Sequence, residues 1–286
     1  MVALDIICKA EKKYLTLLEE FFAKTWGETL LWSHDLNHHR RVWEYAKEIL
    51  SFSPDVLPDD HPDYVIKLLI ACYFHDIGMA VDPGLNHGQS SRELCEKFLH
   101  LNHPDVSDSR DMLQAIENHD NKDYTGRQNN YSLLTILSAA DDLDALGYIG
   151  ICRYSEIYLL RGIDPLRIGC LIRENAAGRF ENLRSFFVKS QNLFLKHRRR
   201  FIILDDFFDK YNREVINYQF GIREPNGHCG IIEILSNQIR NKISAEELIL
   251  NPGKYTGNIL ITGFFNSVNS EIAGWTGILN NFNFPA

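Results

Sequence analysis

The strongest constraint on how this chain folds is an apolar run, Val65 to Phe74, broken only by Lys67 and ending on His75-Asp76. A segment that is hydrophobic all round belongs inside the protein, and its length and composition fit a buried helix. A neutral histidine at the end of such a helix can be an ordinary core residue. An aspartate there cannot be so easily accommodated, because a buried carboxylate needs a cation or a metal beside it. The rest of the chain therefore has to bring partners to Asp76.

Elsewhere apolar residues recur at helical spacing, and period-2 alternation is hard to find. The spacing predicts helices over roughly 4–25, 37–51, 63–78, 90–101, 108–120, 131–146 and 149–161. Ser53-Pro54, Pro58 to Pro62 and Asp82-Pro83-Gly84 break the pattern between them. Ser90-Ser91-Arg92-Glu93 has the form of a capping box, which predicts a helix start there. Residues 166–218 read as long amphipathic helices carrying the basic run Lys196-His197-Arg198-Arg199-Arg200, taken as a solvated face. From about 226 the pattern weakens, and Asn and Gly become frequent at Asn251-Pro252-Gly253 and Asn280-Asn281-Phe282-Asn283. The fold class expected is all-α: a catalytic helical domain over 1–162 and a mainly helical extension of unknown role over 163–286.

Hydrophobic residues make up 45% and charged residues 24% of the 286, ample for a packed core. The formal charge of -8 gives no electrostatic footprint for duplex nucleic acid or an anionic membrane. It leaves anionic substrates open, since a bound divalent cation reverses the local potential. The six cysteines are scattered without a CxxC pair and read as thiols of a reducing compartment. The first residues lack a basic region followed by an apolar core, and no apolar run reaches the length of a membrane span. A cytoplasmic location without membrane attachment is the expectation.

Nine of the eleven histidines fall between His34 and His119. His38 shares a helical face with Val42, Ala46 and Ile49. His39 shares a neighbouring stripe with Trp43, so periodicity leaves the two open. Leu133, Leu137 and Asp141 fall at steps of four, which puts a second carboxylate on an apolar stripe. Asp144 lies one turn on, and Asp142 is expected to point to solvent. His119 follows Met112 and Ile116 on one face, and His87 precedes the capping box near a helix N-terminus, where anions are favoured. Two or three imidazoles with two carboxylates make a nitrogen and oxygen donor set suited to Mn, Fe, Ni, Co or Zn, with Mg also admitted, and poorly suited to Ca.

These residues resemble the HD superfamily of metal-dependent phosphohydrolases, whose signature is H…HD…D. His34-Asp35-Leu36-Asn37-His38-His39-Arg40-Arg41-Val42 resembles the opening HD-x-x-H-x-x-R-V, which selects His38 over His39. His75-Asp76, in Phe74-His75-Asp76-Ile77-Gly78, matches the naming pair. Ala140-Asp141-Asp142-Leu143-Asp144-Ala145-Leu146-Gly147 resembles A-D-x-L-D-A-x-G, with Asp141 as the last ligand. The likeness spans roughly 20–160. His87, in H-G-x-x-S, and His119, in I-x-x-H, resemble positions that bind a second metal in binuclear members and face the phosphate in mononuclear ones. Met79 stands where cyclic-di-GMP phosphodiesterases have lysine, no GYP follows, and the HDxxED pattern of alarmone hydrolases is absent.

The resemblance implies hydrolysis of a small phosphate ester, a nucleotide or another phosphomonoester, with His38, His75, Asp76 and Asp141 holding one ion and His87 and His119 either holding a second, the reading favoured, or facing the substrate phosphate. Asp76 is the shared catalytic carboxylate, and Asp144 a proton shuttle or a group that orients a ligand, with the latter favoured. Arg41 or Arg92 has the forked geometry to steady a phosphate, although each can equally form an ordinary ion pair. Two other readings use the same residues: a di-iron oxygenase of the inositol oxygenase type, and a non-catalytic metal- or nucleotide-binding regulatory module. A nuclease reading rests only on the basic run, against an acidic chain. Oligomeric state is not legible.

Overall fold

The computed structural model describes residues 2–51, 62–84, 86–121, 131–187, 191–243 and 245–281. Among them are twelve α-helices and no strand: α1 Val2–Trp26, α2 Leu36–Ser51, α3 Pro62–Phe74, α4 His87–Asn102, α5 Arg110–Asn118, α6 Leu133–Asp144, α7 Gly147–Leu160, α8 Pro165–Phe186, α9 Gln191–Val215, α10 Gly227–Asn241, α11 Ala245–Leu250 and α12 Ile259–Asn281. The fold is all-α. The breaks read at Ser53-Pro54 and from Pro58 to His61 lie outside the described residues, as do Phe282 and Asn283.

The chain divides into two compact units, one made of Met1–Thr29, His34–Asp144 and Glu181–Gln191, the other of Leu30–Ser33, Ala145–Phe180 and Asn192–Ala286. In the first, α3 is central. Every residue from Val65 to Phe74 is buried, and the helix packs against α1, α2, α5 and α6. α1 beside it is amphipathic: it buries Ile7, Ala10, Tyr14, Leu18 and Phe22, a stripe at steps of three and four. Lys67 stays charged at the rim, its ammonium 3.1 Å from Asp63 and 3.3 Å from Asp111.

Three local expectations fail for identifiable reasons. α3 stops at Phe74 rather than running to 78, and Ile77–Ala80 forms a tight 3₁₀ turn, with the Gly78 amide donating to the Ser91 hydroxyl at 2.8 Å. The capping-box residues do not start a helix: α4 begins a turn earlier, at His87, and the Ser90 amide already donates to the Asn86 carbonyl at 3.1 Å. Asp142 is not solvated. It is fully buried, because α6 is enclosed on all sides from Thr135 to Asp144.

The second unit has its own core, in which Ile168, Leu204, Phe208, Ile232 and Phe265 pack together from α8, α9, α10 and α12. The weak pattern after 226 nevertheless forms helices α10 to α12, with apolar residues of α12 seated in that core. Gly147, at φ +73, opens α7, and Glu271 supplies the missing cap by accepting from the Tyr148 and Ile149 amides at 2.7 and 3.3 Å. Arg200 donates to Glu271 and to the Leu146 carbonyl, and His197 is fully buried. The basic run is therefore not one solvated face: only Lys196, Arg198 and Arg199 are exposed.

Glycine is required where α4 meets α5. A Cβ on Gly88 would lie 2.4 Å from the backbone oxygen of Glu117. Alanine gains up to about 1 kcal/mol of helix propensity, but forcing two helix backbones apart costs about 1–3 kcal/mol. Gly88→Ala should lower the melting temperature measured by circular dichroism; a higher one would show that α4 and α5 can separate freely.

Candidate metal centre

Five segments of the first unit deliver side chains to one point. α2 supplies His38, its N-terminus held by Asp35, whose carboxylate accepts from the His38 amide at 3.0 Å. His75 and Asp76 follow directly from the end of α3. His87 is the first residue of α4, His119 lies just past α5, and Asp141 comes from α6. The Ser138 hydroxyl fixes the backbone at His119 by donating to its carbonyl at 3.0 Å.

The carboxylate of Asp76, only 3% exposed, divides its two oxygens. Oδ2 lies 3.3 Å from Nε2 of each of His34, His38 and His75. Oδ1 lies 2.9 Å from His119 Nε2 and 3.3 Å from His87 Nε2. Asp141 Oδ1 stands 3.8 and 3.9 Å from His38 and His75 Nε2. Two buried groups result, each with donor atoms close enough to share an ion: His38, His75, Asp76 and Asp141, and Asp76, His87 and His119.

The opposite edges of these rings fix their tautomers. Nδ1 of His75, His87 and His119 donates to the carbonyls of Cys72, Gly84 and Ile116, at 2.9, 2.8 and 2.7 Å, in each case three residues back. Nδ1 of His38 donates to the Asp144 carboxylate at 2.8 Å. With Nδ1 carrying the proton, each neutral ring presents a bare Nε2 to the centre. Nε2 of His38 and His75 are 3.0 Å apart, and two lone pairs at that separation need a proton or a metal cation between them. The donor set thus fits a divalent transition metal.

The remaining residues separate cleanly. Arg41, 4% exposed, forks onto Asp144, Nε to Oδ1 at 2.7 Å and Nη2 to Oδ2 at 3.0 Å. Burial opposes its charge, but Asp144 outweighs that and holds its pKa above the ordinary arginine value. Arg92, partly exposed, is engaged by Glu96 at 3.1 Å and Glu117 at 2.6 Å. His39 donates from Nδ1 to Cys72, the carbonyl that His75 also uses. Burial, with His75 and His38 nearby, pushes its pKa well down, so it is a neutral core ring. His34 is the residue that sequence reasoning overlooked. It sits in the 3₁₀ turn Trp32–His34, four residues before His38, and that spacing was the available signal.

An HD domain family model matches residues 35–146; among curated proteins and among solved structures nothing matches. Both groups lie within the matched residues. HD domains are mostly those of metal-dependent hydrolases. Among the described residues no helix is long and apolar enough to cross a membrane.

The metal-free site is set to hold protons. Burial disfavours charge on His87, but its hydrogen bond to Asp76 and that carboxylate's charge outweigh it and push the pKa up to about 9 from 6.5. Burial likewise works against ionised Asp76, but the surrounding imidazoles, His75 and His119 foremost, hold it well below the usual carboxylate range. Between pH 6.5 and 9 the folded, metal-free chain keeps a proton on His87 that the unfolded chain has lost. That stabilisation is complete below 6.5 and disappears as pH rises through 9. An ion binding His87 must displace the same proton, so affinity should rise up to about tenfold per pH unit below 9 and then level off. Mn²⁺ titrations at pH 7 and 8.5 that resolve the class of site lost in His87→Ala check this; an unchanged affinity of that class would rule out proton competition at His87.

Proposed function

We propose that this chain is a metal-dependent phosphohydrolase acting on a small phosphate ester of the nucleotide or phosphomonoester class. The observation that supports the reading most is the divided Asp76 carboxylate, with one oxygen facing each of two imidazole groups. In this reading His38, His75, Asp76 and Asp141 hold one divalent ion, and Asp76, His87 and His119 a second. Bound there, such ions supply Lewis acidity toward phosphoryl oxygens and a water of lowered pKa.

The protein's own part is geometric. The carbonyls of Cys72, Gly84 and Ile116 keep three rings in the donor tautomer, and Asp144 does so for His38. Asp144, with no exposure at all, orients His38 and has no route to pass protons to solvent directly. Neither arginine holds substrate in this reading: Arg41 is committed to Asp144, and Arg92 to Glu96 and Glu117. His34, 7% exposed beside Asp76, is placed to meet a substrate oxygen at the rim. The acidic balance of the chain favours a small substrate over a polynucleotide. A cytoplasmic setting accords with the scattered thiols, four of them buried.

The test is phosphate release from a panel of nucleotides and sugar phosphates, with Mn, Mg, Ni, Co or Fe added in turn. Wild type should release phosphate only with metal, and Asp76→Ala should fall to background. Iron-dependent oxygen consumption without phosphate release would replace this reading with the oxygenase one. Metal binding without any turnover would leave a regulatory module.

A further inference from the structure

We infer that the two metal positions load unequally, the His38–His75–Asp76–Asp141 position first and tightly, and that Arg41, acting through Asp144, sets this order. The inference rests on the metal-binding reading above and goes beyond it, because it assigns a role to a buried ion pair that touches neither metal nor substrate. Arg41 is a positioning residue.

The two positions differ in three ways. The first has four donors including two carboxylates, and the second has three, with Asp76 as its one carboxylate. The second therefore has no formal negative charge of its own. An ion already in the first position takes up much of the Asp76 charge and repels a second ion placed nearby.

One ring of the first position is backed differently as well: His75, like the rings of the second, donates to a neutral carbonyl, but His38 does not. His87 and His119 donate from Nδ1 to neutral carbonyls, those of Gly84 and Ile116. Gly84 is half-buried on the short segment before α4, so His87 is backed by a loop carbonyl rather than by a buried charge. His38 donates instead to a carboxylate that is itself fully buried. An anionic acceptor makes the imidazole a stronger donor to metal than a neutral carbonyl does.

A free carboxylate at Asp144 would be costly and could rotate or take up a proton. Arg41 prevents both. Its fork occupies Oδ1 and Oδ2 together, neutralises the buried charge and leaves Oδ2 aimed at His38 Nδ1. The rigidity runs Arg41 to Asp144 to His38, and it ends on one metal position only. The second is left as the exchangeable one, which makes metal supply a control on a two-ion reaction.

The experiment is a titration of metal-free, full-length protein with Mn²⁺, reading free ion by electron paramagnetic resonance, for wild type, Asp144→Asn, Arg41→Lys and His119→Ala. Wild type should show two classes of site at least about tenfold apart. Asp144→Asn should weaken the tight class by about 10–100-fold, the usual effect of losing an outer partner of a ligand, while the weak class changes far less. Arg41→Lys, which keeps the charge but loses the fork, should weaken the tight class to a smaller degree. His119→Ala should remove the weak class and retain the tight one. Should Asp144→Asn fail to fold by circular dichroism, Arg41→Lys carries the same comparison, and should both fail, His119→Ala still shows which position is tight. Two equal sites, equal weakening of both classes, or loss of the tight class in His119→Ala would overturn the inference while leaving a metal enzyme. No Mn²⁺ binding by wild type would overturn the metal reading itself.

Discussion

A carboxylate sealed into an apolar helical bundle costs several kcal/mol unless charges or donors surround it, and Asp76 is surrounded by five imidazoles, those of His34, His38, His75, His87 and His119, at 2.9 to 3.3 Å. Much of the first unit can be understood as the means of bringing those rings there. α3 has to be apolar on all sides to carry Asp76 inward, and α2, α5 and α6 enclose it. Gly78 and Gly88 keep the turn after Asp76, α4 and α5 in direct backbone contact, which places His87 and His119 on the same carboxylate.

Local backbone chemistry orients the rings. His75 and His119 stand just past the ends of α3 and α5, where the last helical carbonyls lack amide partners of their own. Each ring takes such a carbonyl, three residues back, as the acceptor for Nδ1. A helix end thus serves two purposes at once: an orphan acceptor is satisfied, and Nε2 is left bare for the centre. His38, inside α2, has no orphan carbonyl within reach and uses Asp144 instead. A buried arginine, Arg41, accompanies that carboxylate.

The helical periodicity and the apolar run ending in His75-Asp76 made the all-α fold readable, because a bundle core leaves its period in the sequence. The motif spacing picked out His38, His75, Asp76, His87, His119 and Asp141, and the structure places all six in the two groups. What was not readable depended on tertiary partners. Ser90-Ser91-Arg92-Glu93 has a capping sequence, but Ser90 lies inside α4, its amide bonded to the Asn86 carbonyl. Asp142 has a solvated residue's position on a half-buried helix, whereas α6 is enclosed all round. Arg41 resembles a phosphate ligand until its partner, 103 residues away, is seen to be Asp144. His34 lies in a turn ahead of α2, and its four-residue offset from His38 was the one signal that could have added it to the site.

In the proposed function the Asp76 carboxylate serves two metal positions. The most direct test is low-temperature electron paramagnetic resonance of the protein loaded with two equivalents of Mn²⁺. Two ions held by that carboxylate would sit close enough to couple, and an exchange-coupled spectrum is expected. Two magnetically isolated ions, or one ion bound however much is added, would contradict it.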